Sequence, residues 1–331
     1  MSSPYPWQSQ QWQQLQKRHQ AGAMPHALLL HGPEGIGKAD FAQTIARSLL
    51  CEQTGESGEA CGQCKSCQLL NTGNHPDFIH IQPEEAGKAI KVDQIRELIQ
   101  QMGLSHHLST YRVVLITQAE QMNLAASNSL LKTLEEPQAN TIILLVCSKI
   151  SRLPATIRSR CQKLRFSLPS HNEAIAWLQT KLKDQTEEIL TAANGAPLLA
   201  VHMFEADILK RRQVVLKDLL DLLKADQQPL AVAANWYKQS DIQPLSWLYY
   251  WVCDLIRLKT AGENYVVDQS AMHQLQTLLK TIDLGKLYQF HDQLGEAIRL
   301  QQTSANGLLL LEGILLSWTY LATNQNNRKL A

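Results

Sequence analysis

Short apolar runs and amphipathic stretches alternate along the first half of the chain. Apolar runs of strand length occur at residues 26–31, 77–82, 112–117 and 141–147. Runs that are apolar at nearly every position are typical of parallel strands buried on both faces. The pattern therefore predicts an α/β domain in which helices cover both faces of a parallel sheet. The helices predicted between these strands are residues 40–50, 92–102 and 123–136.

The strand pattern ends near residue 168, and only helical patterns follow it. Leu168-Pro169-Ser170 is one candidate junction, and residues 204–206 are a second. These boundaries predict an α/β domain over residues 1–167, a small helical domain over 168–205 and a helical bundle over 206–331. The helices predicted in the second half are residues 172–182, 187–193, 206–225, 244–260, 271–282, 284–301 and 304–322.

Residues 32–39 (GPEGIGKA) fit the phosphate-loop pattern G-x-x-x-x-G-K-[ST] except at the last position. The segment follows an apolar run and precedes a helical pattern, which is the context that the motif requires. In such a loop, backbone N–H groups bind phosphate oxygens and the lysine reaches the terminal phosphates. The alternative is a glycine-rich turn that only joins a strand to a helix. The candidate ATP-binding residues are Gly32, Gly35, Gly37 and Lys38.

Three positions in this region lack the chemistry of ATP hydrolysis. Ala39 has no hydroxyl to hold Mg²⁺, and the strand predicted at 112–117 ends in Thr117 followed by Gln118. A P-loop ATPase needs an acidic residue there to hold Mg²⁺, usually with a second that orients water. Glu120 lies two residues further along, out of register for this role. The sequence therefore predicts that ATP is not hydrolysed, while ATP binding stays open.

A cysteine cluster follows the first predicted helix of the α/β domain. Cys51, Cys61, Cys64 and Cys67 have the spacing C-x9-C-x2-C-x2-C. Two-residue spacings let neighbouring thiolates converge on one ion, and four thiolates complete a closed tetrahedral Zn²⁺ site. Because a closed site leaves no position for water, the predicted zinc is structural. A surface cluster of free thiols is the alternative.

Charge and composition limit the function further. The formal net charge is +1, from 31 Lys and Arg against 30 Asp and Glu. A protein that holds DNA by itself usually carries a basic excess that neutralises phosphates. The opening residues lack the pattern of a secretory signal, and no apolar run has the length of a membrane span. The chain has seven cysteines, an odd number, and four of them lie within residues 51–67, which favours a metal site in a reducing compartment. These features predict a cytoplasmic protein.

Two further motifs carry a family resemblance. Residues 130–137 (LLKTLEEP), followed by Ser159-Arg160-Cys161, resemble paired motifs of the bacterial clamp-loader subunits of the AAA+ class. The cysteine module is similar to that of the gamma/tau and delta-prime subunits, and substitution of the acidic pair is typical of the delta-prime type. The resemblance is specific over the first two predicted domains. Residues 306–312 (NGLLLLE) are similar to the family's final collar helix.

The resemblance implies an α/β P-loop domain of AAA+ type with a zinc module, then a small helical domain and an all-α C-terminal collar bundle. It implies a non-hydrolysing subunit of the DNA polymerase III clamp loader, within a DNA-directed DNA polymerase holoenzyme. The implied partners are gamma/tau and delta subunits in a hetero-pentameric ring that places the sliding clamp on primed DNA. Arg160 would be an arginine finger for the ATP site of the adjacent subunit. The alternative for Arg160 is an ion pair with an acidic neighbour on the domain surface. Leu198 stands where active members carry a nucleotide-sensing arginine.

Other functions are weighed against this one. An active gamma/tau-type motor needs acidic residues at positions 117 and 118, which this chain lacks. A free-standing zinc-containing nucleic-acid-binding protein is disfavoured by the near-neutral charge. A P-loop kinase is disfavoured because no phosphoacceptor site is evident.

Overall fold

The structure is a computed structural model that describes residues 3–321 apart from 56, 86, 104–107, 183, 207, 240–243, 281 and 302–304. The chain divides into two compact units, Met1–Ala174 and Ile175–Ala331. The three-domain division, with boundaries at 167/168 and 205/206, stays a prediction.

The first unit contains a five-stranded sheet and the helices around it. Its strands are β1 (Ala27–His31), β2 (Phe78–Ile81), β3 (Arg112–Ile116), β4 (Thr141–Cys147) and β5 (Gln162–Arg165). Its helices are α1 (Ser9–Gln20), α2 (Lys38–Leu50), α3 (Lys65–Asn71), α4 (Val92–Met102), α5 (Leu124–Glu135) and α6 (Ala155–Arg160).

Helix α7 (His171–Gln179) crosses the boundary between the units, and the second unit is helical over the residues described. Its helices are α8 (Thr186–Ala192), α9 (Pro197–Glu205), α10 (Ile208–Leu223), α11 (Pro229–Lys238), α12 (Pro244–Thr260), α13 (Met272–Leu279), α14 (Leu284–Leu300) and α15 (Gly307–Thr319). The predicted helices over 206–225, 271–282 and 304–322 include residues 207, 281, 304 and 322, which lie outside the described residues. None of the helices formed by the described residues combines the length and the apolar composition that a membrane span requires.

The sheet is parallel, with the strand order β2-β3-β4-β1-β5. Each pair of neighbouring strands runs in the same direction, and Leu29 of β1 lies in register with Leu145 of β4 and Lys163 of β5. In a parallel sheet all strands end at the same edge. The loops after β1, β3 and β4 therefore meet there, and the prediction of a parallel α/β sheet is confirmed.

Helices cover both faces of the sheet. On one face, Leu29, Val114 and Leu145 pack in one buried cluster with residues of α4, α5 and α6. On the other face, Leu28 and Leu144 are fully buried, and α2 lies against β3 and β4. Burial on both faces explains why β1, β3 and β4 are apolar at almost every position.

The sequence pattern does not predict β5 or several short helices. Strand β5 reads QKLR, and three of its four residues are exposed because it lies at the edge of the sheet. Helix α1 is hidden in a glutamine-rich opening, where Trp12 and Leu15 are its buried residues. The other unpredicted helices are α3, α6, α9 and α11.

The last described helix, α15, packs against α10, α11 and α14. Trp318 is fully buried, and its Nε1 donates a hydrogen bond of 2.9 Å to the carbonyl of Leu219. Its ring lies 5.4 Å from that of Phe290, centroid to centroid. The bundle is thus centred on aromatic side chains whose polar atoms are satisfied internally.

A buried ion pair joins α10 to the segment before α13. Arg212 Nη2 lies 2.9 Å from Asp268 Oδ2, and both side chains are more than nine-tenths buried. Asp268 Oδ2 also accepts from Trp251 Nε1 at 3.0 Å, and the Arg212 guanidinium lies over the Trp251 ring. Asp254 Oδ2 accepts from the backbone N–H of Asp268 at 2.9 Å. The buried charges of Arg212 and Asp268 therefore offset each other, and Trp251 Nε1 donates a further hydrogen bond to the Asp268 carboxylate.

We expect Asp268→Ala to lower the free energy of unfolding by about 3–5 kcal/mol, because it leaves the Arg212 charge buried without its partner. Denaturant unfolding of the purified protein measures this loss. The matched control is Glu296→Ala, which breaks an exposed pair with Arg299 and should change stability little. An equal decrease in the free energy of unfolding in the two variants would show that burial does not increase the contribution of the Arg212–Asp268 pair to stability.

Candidate nucleotide and metal sites

The phosphate loop lies between β1 and α2, at the carboxyl edge of the sheet. Gly35 and Gly37 have φ angles of 73° and 81°, a backbone conformation that glycine adopts without strain. Lys38 begins α2, is buried, and donates a hydrogen bond from Nζ to the carbonyl of Pro33. Burial lowers its pKa, while the nearby carboxylates of Glu120 and Glu34 act in the opposite direction. The structure thus places Gly35, Gly37 and Lys38 together in the turn between β1 and α2, and their role in binding ATP stays a prediction.

The amino-terminal segment packs directly on this loop. Trp7 Nε1 and the buried Gln8 Nε2 donate to the carbonyl of Ile36 at 3.0 and 2.9 Å. A Cβ on Gly37 would lie 2.4 Å from Cε2 of Tyr5, so the ring rests on the glycine backbone. One face of the loop is therefore covered by the chain itself.

Tyr5 also connects the segment to α2. Its hydroxyl donates to Oδ2 of Asp40 at 2.9 Å. Burial, followed by the charge of Asp40, raises the pKa of Tyr5. The first turn of a helix that binds phosphate normally offers only N–H donors and partial positive charge. Asp40 places a carboxylate in that turn instead, which opposes an anion at this end of α2.

In a P-loop ATPase the residues after the equivalent of β3 hold Mg²⁺. Thr117 Oγ1 lies 3.1 Å from Nε2 of His80, and it donates to the carbonyl of Ile81 at 3.4 Å. Gln118 has a φ of 52° and turns the chain away from the strand. The Thr117 hydroxyl is therefore engaged by β2, and neither residue offers an anionic ligand.

Glu120 has a structural role that the sequence does not reveal. Its Oε1 accepts from the backbone N–H groups of Ser148 and Lys149, at 2.8 and 3.2 Å. Burial, with a further contribution from Glu120, raises the pKa of Cys147 to about 12. Glu120 thus fixes the loop after β4 at the edge of the sheet.

The four predicted zinc ligands converge. The sulfur atoms of Cys51, Cys61, Cys64 and Cys67 all lie within 4.8 Å of one another. Cys51 Sγ and Cys64 Sγ are 3.9 Å apart. A tetrahedral ion with Zn–S bonds of ~2.3 Å requires sulfur atoms about 3.8 Å apart. The cluster therefore fits one Zn²⁺ ion.

Backbone N–H groups point at the sulfur atoms of this cluster. Cys61 Sγ accepts from the N–H groups of Gln63 and Cys64, at 3.5 and 3.4 Å. These hydrogen bonds lower the pKa of Cys61 to about 6, because they stabilise the thiolate. A thiolate is the form that binds metal. Burial has the opposite effect on Cys51 and Cys67 and raises the pKa of both thiols. The backbone of the loop therefore favours a thiolate at Cys61.

A buried histidine ties the cysteine module to the sheet. His75 Nδ1 accepts from the backbone N–H of Asp77 at 3.1 Å, which places the ring proton on Nε2. Nε2 lies 2.8 Å from Oγ of Ser66, and that hydroxyl donates to the carbonyl of Leu50 at 2.5 Å. Burial lowers the pKa of His75. Since Nδ1 faces a donor, the neutral ring is the form that fits.

This lowered pKa predicts acid sensitivity. The unfolded chain binds a proton at His75 near pH ~6.5, whereas the folded chain binds it only at lower pH. The stability due to neutral His75 is therefore complete above about pH 6.5, and it is lost as the pH falls towards the folded pKa. We expect His75→Gln to reduce this dependence, which for one group is at most about 1.4 kcal/mol per pH unit. Unfolding free energies of both proteins between about pH 7.5 and 5.5, at equal zinc, measure the difference. Parallel curves would contradict the assignment to His75.

Arg160 is the last residue of α6, and it forms an ion pair within its own chain. Its Nε donates to Oε1 of Glu135 at 2.7 Å, and Nη1 donates to the carbonyl of Thr156 at 3.0 Å. The pairing with an acidic surface neighbour, which the sequence leaves as an alternative, is therefore present. Arg158 differs, because its Nε is buried and has no hydrogen-bond partner among the residues that the structure describes.

Comparison with known proteins identifies the family. The model of "DNA polymerase III, delta subunit" matches residues 7–170, and that of the "delta subunit, C terminal" matches residues 206–320. The DNA polymerase III subunit delta' of Pseudomonas aeruginosa is 36% identical over 97% of this chain and 99% of its own length. The chain belongs to the delta-prime subunit family of DNA polymerase III. The delta-prime protein of Escherichia coli is 30% identical over 94% of each chain.

Similarity to the tau subunit is more limited than similarity to the delta-prime family. The Bacillus subtilis tau subunit is 32% identical over 58% of this chain, which is 36% of the tau chain. The delta-prime matches extend over nearly the whole chain and therefore favour that family over the gamma/tau type.

Proposed function

We propose that the chain is a subunit of the DNA polymerase III clamp loader that does not hydrolyse ATP and acts on its neighbours. The observation that carries this proposal is the site after β3. Thr117 is bonded to β2, Gln118 is uncharged, and Ala39 has no hydroxyl. A P-loop ATPase needs a hydroxyl at the position of Ala39 and an acidic residue after β3 to hold Mg²⁺ and to activate the attacking water, and this chain has neither.

Arg160 is the group that we propose the chain contributes in trans, as an arginine finger in the ATP site of an adjacent subunit. Its side chain is one-third exposed, at the end of a helix whose Ile157 is fully buried. A guanidinium placed at the transferring phosphoryl group stabilises its charge and raises the rate by about 10³–10⁵ in known cases. The ion pair with Glu135 uses only part of its donor set, since a guanidinium carries five N–H groups.

We propose that Cys51, Cys61, Cys64 and Cys67 hold one structural Zn²⁺ ion. The support is the convergence of four sulfur atoms within 4.8 Å, with no place left for a water ligand in a closed thiolate site. In this role the ion fixes the loop between α2 and α3.

The proposed partners are gamma/tau and delta subunits in a hetero-pentameric ring, which acts on the sliding clamp and primed DNA. An exposed apolar face on α15 supports association with other subunits. Leu309, Leu316 and Tyr320 are exposed on that face, and Gly313 lies between them. Their intervals of four, three and four residues are those of a helix that packs against another helix. Exposed apolar surface of this kind marks protein–protein interfaces. This supports residues 206–331 as the collar domain.

We expect the isolated chain to turn over no ATP, because Ala39 lacks the hydroxyl that holds Mg²⁺ and neither Thr117 nor Gln118 supplies the acidic group that an ATPase carries after β3. Steady-state phosphate release from the purified protein measures this. Lys38→Ala is the control, since it removes the remaining phosphate-binding side chain. Hydrolysis above background that disappears in Lys38→Ala would contradict the proposal and favour an active motor.

A further inference from the structure

Arg160 is held in one orientation by groups of its own chain. Both Nε and Nη2 donate to Oε1 of Glu135, and Nη1 donates to the carbonyl of Thr156. Among the described hydrogen bonds, the second N–H of Nη2 has no acceptor, and the second N–H of Nη1 meets only the Ser159 hydroxyl, at 3.5 Å. The inner edge of the guanidinium is therefore fixed, while the outer edge retains donors.

The two residues of this pair stand on rigid supports. Glu135 is the last residue of α5, and Arg160 is the last residue of α6. One turn or less before them, Leu134 and Ile157 belong to the same buried cluster beneath the sheet. The packing of α5 against α6 thus sets the distance between the carboxylate and the guanidinium.

Stability does not explain this arrangement. The side chains of Arg160 and Glu135 are 33% and 48% exposed, so water screens the attraction and the pair adds little to folding. An arginine side chain has many rotamers, however, and a finger works only when its donors already point to where charge develops. A carboxylate on the inner edge selects one of these rotamers without covering the outer donors.

We infer that Glu135 is a positioning residue, which orients Arg160 so that its outer N–H groups face the phosphoryl group of an adjacent ATP site. The inference rests on the arginine-finger role proposed above. Glu135 itself does not touch the nucleotide. Its removal should slow the chemical step and leave the affinity for ATP unchanged.

The test uses the complete clamp loader, assembled from this chain and its partner subunits, with clamp loading on primed DNA as the readout. The ATP concentration is varied to separate kcat from KM. We expect Glu135→Ala to lower kcat about tenfold with KM unchanged, since a displacement of ~1 Å at a reacting group costs up to about 100-fold. Glu135→Gln should retain more activity, because its amide oxygen still accepts from Nε.

Two further variants make the test specific. Glu136→Ala removes the same charge one residue away and has no contact with Arg160 among those described, so it should load clamps at the wild-type rate. In an Arg160→Ala background, Glu135→Ala should cause no additional loss, because the residue that it positions is already absent.

The outcomes distinguish the positioning role of Glu135 from the arginine-finger role of Arg160. Wild-type loading by Glu135→Ala, together with a defect in Arg160→Ala, overturns the positioning role and leaves the finger intact. An equal loss from Glu135→Ala with and without Arg160 also overturns it. Wild-type loading by Arg160→Ala overturns the finger and, with it, the inference.

Discussion

If Arg160 is the proposed arginine finger, replacing it by alanine should abolish stimulated ATP hydrolysis at the site of the adjacent subunit that it enters. The loss at that site should reach about 10³–10⁵, the contribution of an arginine finger to phosphoryl transfer. The fold and the assembly should be unchanged, because Arg160 is partly exposed and its ion pair is on the surface. Clamp loading is the sharper measurement, since in the proposed ring total hydrolysis would also include sites that other subunits complete.

Arg158→Ala is the control for this experiment. It removes the same charge two residues away on α6, and Arg158 has no contact with Glu135 among the described hydrogen bonds. An Arg160→Ala complex that assembles normally and loads clamps as fast as the wild type would contradict the trans-acting role.

Loss of the proposed zinc ion should destabilise the fold of the loop that contains Cys51, Cys61, Cys64 and Cys67. We expect one Zn²⁺ per chain, and we expect Cys64→Ala to lose it, because three thiolates no longer close the site. Structural zinc sites contribute about 10–16 kcal/mol of apparent binding free energy in small peptides, and this energy supports the folding of the loop. Metal analysis and the rate of thiol alkylation under native conditions measure the two effects.

Cys253→Ala is the matched control for the metal prediction. Cys253 is a half-buried cysteine on α12, outside the cluster, and its removal should leave the zinc content at one. A wild-type protein without zinc, whose four module cysteines are all alkylated at once, would show that the cluster is only a group of free thiols.

The sites that the sequence predicts are those whose residues are close together in the chain. The glycines of the phosphate loop and the four cysteines are each contained in one short segment, so their spacing alone indicates phosphate or metal. The apolar strands are predicted for a similar reason, because burial on both faces leaves a pattern in every residue of β1, β3 and β4.

Contacts between distant segments leave no such pattern. Gln8 contacts Ile36 across 28 positions of the chain, and Arg160 contacts Glu135 across 25 positions. Glu120 lies too far along the chain from β3 to hold Mg²⁺, and its position in the sequence does not indicate that it accepts a hydrogen bond from the N–H of Ser148. These contacts depend on tertiary packing, which local spacing does not encode.

The most direct test of the account is ATP-dependent clamp loading by the purified chain, by its partner subunits without it, and by the mixture. We expect the chain alone to hydrolyse no ATP, the partners alone to load poorly, and the mixture to load clamps with this chain stably bound. A chain that hydrolyses ATP by itself, or partners that load equally well without it, would contradict the proposal of a non-hydrolysing subunit that acts on its neighbours.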